Sequence, residues 1–260
     1  TGGFSLNCPT NTKLNQKYPE LNFTPLPGVG DTGLSLGAAV SLCYFFDVKL
    51  HPKISNPAYP PSTFDINIKK DQFKKLHKIS DNKKIIIEML SNELSKGKIV
   101  CRHSRRSEVG PRALGRRSII AWAGKDEIRD IINNKKGREN WRPLAPLCMS
   151  EDFDNFFVGD PNSCEFMLTI SKVISEEIPA VTHVDGTARV QIIDLNSYYN
   201  DKELCDVIEN IRKKKLPPIL INTSFNCAGE PIVETVEDAA RSFLKMGFDY
   251  LWTNDGLYTD

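Results

Sequence analysis

DKELCDVIENIRKKK at 201–215 runs straight into LPPILINTSFN at 216–226. Leu204, Val207, Ile208 and Ile211 recur at the three-and-four spacing that puts them on one helical face, so a helix is predicted over Asp201–Lys214. Pro218–Ile221 is a short apolar run suited to a buried strand, and it breaks into the polar segment Asn222-Thr223-Ser224-Phe225-Asn226. Further along, Thr235 can cap a helix carrying Ala239, Ala240, Phe243 and Leu244, with Gly247 as its stop and Tyr250–Trp252 as a following strand. Before this region, Asp81 can cap a helix with Ile86, Met89, Leu90 and Leu94, ending at Gly97. Lys98–Cys101 and Ser118–Trp122 read as strands, Asp126–Asn133 as a helix, and Arg189–Ile193 alternates as a strand. Strands interleaved with helices make the fold class α/β, or α+β.

Residues 1 to about 46 read as a further unit. Gly2-Gly3 turns into Phe4-Ser5-Leu6, a polar loop follows, and Gly28–Asp31 turns again. A small-residue helix is predicted from about Thr32 to Phe46, with Leu34, Leu36, Ala38, Ala39 and Leu42 suited to packing on a sheet. His51–Thr63 is rich in Pro, Ser and Asn and reads as a linker. Phe64–Ser80 is polar and is predicted to carry one amphipathic helix. There is no internal repeat.

The 260 residues, 40% of them hydrophobic, suffice for one large domain or two smaller ones. A formal net charge of +1 gives no whole-molecule field to draw nucleic acid or anionic lipid. Positive charge is local, between Arg102 and Arg142. Cys8, Cys43, Cys101, Cys148, Cys164, Cys205 and Cys227 are odd in number and form no C-x-x-C pair. That argues against a disulfide framework or a zinc ribbon and fits a reduced, cytoplasmic setting. No apolar run reaches the roughly 18 residues of a membrane span, and no signal peptide is read. The chain starts on Thr1-Gly2-Gly3 without Met, so more protein is expected upstream.

Four segments carry chemistry. Gly110-Pro111-Arg112-Ala113-Leu114-Gly115 and Lys136-Gly137-Arg138-Glu139-Asn140-Trp141-Arg142-Pro143 interleave helix breakers with cations. They read either as a solvated basic face or as a fixed loop wall of donors for a phosphate-rich ligand. Asn222–Asn226 is either a capped turn or a polar mouth at a strand's C-terminal end, where open α/β sheets bind ligands. In His183-Val184-Asp185-Gly186-Thr187-Ala188-Arg189 the His–Asp pair has the ordinary structural reading, whereas an inward Arg189 needs an anion. Gly2-Gly3 and Gly30-Asp31-Thr32-Gly33 allow close approach to a phosphate, and Asp31 could ligate a metal.

GGFSLN, GDTGLSLGAA, EVGPRALGRRSI, KGRENWRPLAP, HVDGTARVQ and INTSFNCAGEPIV, in that order, resemble the motifs of the NodU/CmcH-type O-carbamoyltransferase family. The resemblance implies a protein about twice this length. Residues 1–64 would then be the end of an actin-like (ASKHA) transfer domain plus a linker. Residues 65–260 would be a YrdC-like domain, a twisted mixed sheet with flanking helices. It implies that the YrdC-like domain makes carbamoyl-adenylate from carbamoyl phosphate and ATP, with Mg²⁺, and that the actin-like domain passes the carbamoyl group to a hydroxyl-bearing small molecule. Lys136, Arg189 and Ser224 are the implied catalytic residues. Arg112, Arg138, Arg142, Asn222 and Asn226 are the substrate-binding set, and Gly2 and Gly3 approach the cofactor. Asp31 is the implied ligand of a divalent metal, with Fe²⁺ as candidate. The missing N-terminal portion is a partner, no membrane is expected, and a homodimer is left open. Arg105 stands where the family has Gly, Arg116 where it has Asn, and Ser5 replaces Ala in the family's ALN.

Two other readings stay in view. A threonylcarbamoyl-adenylate synthase of tRNA modification would share the YrdC-like fold, but the linked Gly-Asp-Thr-Gly segment argues against a stand-alone synthase. An RNA-binding module would use Arg102–Arg142, but RNA surfaces interleave aromatics for base stacking, and Trp122 and Trp141 alone serve there.

Overall fold

The computed structural model describes residues 2–20, 28–49, 74–195 and 201–260. In chain order the helices are α1 (Cys8–Lys17), α2 (Leu34–Phe45), α3 (Lys83–Ser95), α4 (Glu127–Lys136), α5 (Phe153–Phe156), α6 (Lys202–Lys213) and α7 (Val236–Met246). The strands are β1 (His77–Ser80), β2 (Val100–His103), β3 (Arg117–Trp122), β4 (Ala145–Met149), β5 (Phe157–Val158), β6 (Ser171–Val173), β7 (Thr187–Ala188), β8 (Gln191–Ile193), β9 (Leu220–Ser224), β10 (Tyr250–Thr253) and β11 (Gly256–Thr259).

Eight strands form one mixed sheet in the order β1-β11-β10-β2-β3-β9-β4-β8. The β10–β2 and β4–β8 pairs are parallel and the other neighbours antiparallel. β5, β6 and β7 make a small antiparallel sheet beside it. Strand side chains alternate between faces. Cys101, Ile119, Ala121 and Ile221 therefore pack with Ile128 and Ile132 of α4 and with Ala239, Ala240 and Phe243 of α7. Val100, Ile120, Trp122, Leu220 and Trp252 face the other way, onto Ile86, Leu90 and Leu94 of α3 and Leu204, Val207, Ile208 and Ile211 of α6. Burying each such aliphatic side chain is worth about 1.5–3 kcal/mol, so these two layers hold the sheet between its helices. The expected mixed sheet with flanking helices is what forms. No helix among the described residues is long and apolar enough to cross a membrane.

Several local expectations change. α3 is capped by Asn82, whose side chain accepts from Lys84 N and Ile85 N, rather than by Asp81. α4 runs past Asn133 to Lys136, and Gly137 closes it in the left-handed region at φ 72°. β9 continues through Asn222 and Thr223 to Ser224, because all three pair with β3. The polar loop after Leu6 is helix α1, with Asn7 as cap and Pro9 in its first turn. The helix predicted within Phe64–Ser80 gives way to a turn at 74–75 and strand β1 at 77–80, and residues 64–73 lie outside the described residues, as does the linker at His51–Thr63. α2 forms where predicted, but among the described residues no sheet covers it. Leu34, Leu42, Tyr44 and Phe45 are all exposed.

Candidate active site

Ile128, Ile132 and Lys136 are spaced by four along α4, so Lys136 continues the helix's core-facing stripe. That stripe ends beside the finish of β9, and the lysine is only 3% exposed. Its ammonium donates to Ser224 O, to Asn226 O at 2.9 Å and to Asn226 Oδ1 at 3.1 Å, with Ser224 Oγ at 3.4 Å. Ser224 Oγ donates to Asn226 Oδ1 at 2.7 Å, and Asn226 Nδ2 donates to Glu230 O at 2.7 Å. Residues almost ninety positions apart thus form one polar cluster, although sequence places them on separate segments.

The cluster floors a cleft of about 710 Å³ whose wall includes Arg138, Glu139, Arg142 and Gly229. Arg138 Nε donates to Asn133 Oδ1 at 2.6 Å and Nη2 to Pro143 O at 3.1 Å. Arg142 pairs with Glu139 at 2.7 Å and lies over the Trp141 ring. Burial first, then the charge of Arg138, brings Lys136 from the ordinary 10.5 down to about 7. Between those values the unfolded chain binds more protons than the folded one, so this residue makes the fold more stable as pH rises. Lys136→Met is expected to flatten the denaturation midpoint against pH between about 7 and 10. An unchanged slope would contradict a buried, depressed lysine.

A second cleft of about 310 Å³ lies beyond Pro143, which lines it together with Arg112, Arg189 and Cys8. Arg138 donates to the Pro143 carbonyl, so that residue pair forms the partition between the clefts. Among the described residues neither Arg112 nor Arg189 pairs with a carboxylate, and both have a buried Nε without a partner. Burial, then the charge of Arg112, lowers Arg189 to about 10. Two guanidinium groups that repel each other and lack an acidic partner among the described residues have the chemistry to receive an anion.

Arg112 is held by its loop. Glu108 Oε1 accepts from Leu114 N at 2.7 Å, Arg116 N at 2.6 Å and Arg117 N at 3.2 Å. Asn222 Nδ2 donates to Ala113 O at 3.1 Å, and Gln191 Nε2 to Leu114 O at 3.0 Å. Asn222 is therefore buried against the loop that carries Arg112 and makes no hydrogen bond to Lys136 among the described residues. Gly2 is half-buried and Gly3 exposed, neither lines either cleft, and Gly2 N donates to Val29 O at 2.8 Å. α1 docks through Asn11 Nδ2 to Leu168 O at 2.9 Å and Cys8 Sγ to Met167 O at 3.3 Å. Asp31 is exposed at the start of a 3₁₀ turn, and no group of three His, Cys, Asp or Glu side chains fit to hold a metal occurs among the described residues.

Motif reading gives Glu108 no site role and His183 only a structural one. Glu108 opens the EVGPRALG motif, but only the folded loop turns three amides onto its carboxylate. His183 lines the second cleft. The basic 102–142 segment is not one face either. Arg102, Arg116, Arg117 and Lys136 are buried, which disfavours an RNA-binding surface.

The sequence profile described as "Carbamoyltransferase C-terminus" matches residues 91–259. Nodulation protein NolO of Bradyrhizobium diazoefficiens is 32% identical over 96% of this chain and 47% of its own length. The 3'-hydroxymethylcephem-O-carbamoyltransferase of Streptomyces clavuligerus is 32% identical over 93% of this chain and 44% of its own. The chain thus spans just under half the length of these relatives. A solved structure of P. abyssi Sua5 with L-threonine covers 65% of this chain and 46% of its own at 17% identity and a TM-score of 0.48, a likeness too partial to bear on the fold. By its matched region, the chain belongs to the carbamoyltransferase family, and residues 91–259 are that family's C-terminal region.

Proposed function

We propose that this chain activates carbamoyl phosphate with ATP to form carbamoyl-adenylate, as the YrdC-like portion of an O-carbamoyltransferase. The observation that carries the reading is the gathering of Lys136, Arg138, Arg142, Arg112 and Arg189 in two adjoining clefts where β9 ends and β3 and β4 begin. Carbamoyl phosphate and ATP bring many negative charges together, and fixed cations are what permits that approach. Arg112 and Arg189 take the phosphate of carbamoyl phosphate. Water hydrolyses the linkage between the carbamoyl group and that phosphate, leaving carbamate and inorganic phosphate and releasing a proton. A carbamate oxygen then attacks the α-phosphorus of ATP, the bond to the β-phosphate breaks, and pyrophosphate leaves. Lys136 and Arg138 oppose the charge building on the α-phosphate, while Ser224 and Asn226 hold one of its oxygens. Arg142 and Trp141 wall the nucleotide side, and Asn222 keeps Arg112 in place.

Mg²⁺ enters with the triphosphate. For the divalent metal of the transfer half, the described residues offer Asp31 alone, and no step is assigned to it. Residues 1–64 are proposed as the end of the actin-like transfer domain, with Gly2 and Gly3 at its nucleotide. The apolar, uncovered α2 supports this, because a helix apolar all round is normally buried. Transfer to an alcohol then needs more protein than this chain. Radiolabelled pyrophosphate should exchange into ATP only when carbamoyl phosphate and Mg²⁺ are present, and no alcohol should be carbamoylated. Exchange without carbamoyl phosphate, or alcohol carbamoylation by this chain, would overturn the assignment.

A further inference from the structure

One more polar side chain shares the cleft of Arg112 and Arg189. His183 lines it with Asp185 and Thr187 of the same turn. Backbone bonds fix that turn: His183 N donates to Thr187 O at 2.8 Å and Gly186 N to His183 O at 3.0 Å, with Gly186 at φ 74°. Thr187 Oγ1 donates its single proton to Asp185 Oδ1 at 2.7 Å, and Thr187 N reaches the same oxygen at 3.0 Å. The hydroxyl oxygen is 3.0 Å from His183 Nδ1. With its proton committed to Asp185, the hydroxyl can only accept from the ring, so Nδ1 carries the hydrogen. The neutral imidazole then has a bare lone pair on Nε2, which makes no hydrogen bond among the described residues. Burial, opposed by Asp185 and reinforced by Arg189, holds the ring below its ordinary pKa and keeps it neutral.

The cleft of about 310 Å³ therefore offers two cations and one uncharged ring acceptor, beside an Asp185 carboxylate whose Oδ1 is already engaged by Thr187. A carboxylate acceptor would pair with the arginines and repel an anion, whereas a neutral ring does neither. The ligand that satisfies both features is an oxyanion with an N–H donor a few atoms away. We infer that His183 is the specificity-determining residue of this cleft: its Nε2 accepts from the NH₂ group of carbamoyl phosphate while the phosphate lies on Arg112 and Arg189. This rests on the proposed function above. Acetyl phosphate has the same shape with a methyl group in place of the amine, so it gives Nε2 nothing to accept.

The test is calorimetric binding of two stable analogues to the full chain: phosphonoacetamide, which carries the NH₂, and acetonylphosphonate, which carries a methyl group there. The parent should prefer the amide by about two- to tenfold, the worth of one neutral hydrogen bond. In His183→Ala the ratio should fall to near one. His183→Gln, whose amide oxygen can accept, should keep part of it. Thr187→Val, which frees the ring to turn, should give an intermediate ratio, and these two variants carry the test should the alanine variant not fold. An unchanged ratio in the His183 variants overturns the inference and leaves the proposed function standing. Failure of both analogues and of inorganic phosphate to bind the parent overturns the placement of phosphate on Arg112 and Arg189, and the inference with it.

Discussion

Lys136→Met should lower carbamoyl phosphate-dependent pyrophosphate exchange by about ten- to a hundredfold or more. The substitution keeps the volume of a nearly enclosed side chain and removes its charge. A hydrogen bond to a charged group is worth about 1.5–3 kcal/mol net, which sets that range. The same ammonium gathers Ser224 O, Asn226 O and Asn226 Oδ1, so its loss also loosens the 224–226 segment. Exchange and thermal melting should be read together. Parent-like exchange would remove Lys136 from the anion site, and lost exchange with a collapsed melt would make the lysine a purely structural residue. Arg105→Gly is the contrasting variant. Arg105 sits at φ 48°, in the region that favours glycine, and this explains why the family's usual Gly suits the position. Its carbonyl still accepts from Arg117 Nη2 at 2.9 Å, a bond that glycine retains. Exchange in Arg105→Gly should stay close to that of the parent.

Asp201→Ala should cause the largest loss of stability. Asp201 caps α6 through Leu204 N at 3.1 Å and pairs with Arg102 through two bonds of 2.7 and 2.9 Å. Arg102 and Asp201 are 1% and 2% exposed, and Trp252 lies 4.3 Å from the guanidinium. Removing one partner of a buried pair costs about 3–5 kcal/mol because the other charge stays buried. At roughly 2–4 °C per kcal/mol, the melting temperature should drop by about 6–20 °C. Burial pushes the Asp201 carboxyl up, but Arg102 and the hydrogen bonds outweigh it, leaving a net depressed pKa. Its contribution is therefore present above the ordinary carboxylate value of 3.8 and is lost as pH falls through the lower folded value. A melting temperature within a degree or two of the parent would contradict a buried pair.

The helices that carry apolar stripes are legible in the sequence. α6 and α7 follow from their period and their caps, including the reciprocal Thr235–Asp238 box. β4 is hidden because Pro146 lies inside it, and proline argues against an interior strand. α1 is hidden because it is polar and binds the 167–170 carbonyls through the Cys8 thiol, the Asn11 amide and the Thr12 hydroxyl rather than through an apolar face. The pairing of Lys136 with Ser224 and Asn226 comes from the crossing of α4 over the end of β9, which no local pattern encodes. The motifs supply which residues matter, and the fold supplies which stand together. Arg189 ends up with Arg112 instead of with Lys136, and His183 gains its tautomer from a threonine four residues away.

The account stands most directly on the fate of the carbamoyl carbon. Incubating the chain with carbamoyl phosphate labelled at that carbon, ATP and Mg²⁺ should yield a labelled adenylate, with one phosphate and one pyrophosphate released for each one formed. Release of phosphate alone, with the label leaving as free carbamate and no adenylate detected, would contradict it.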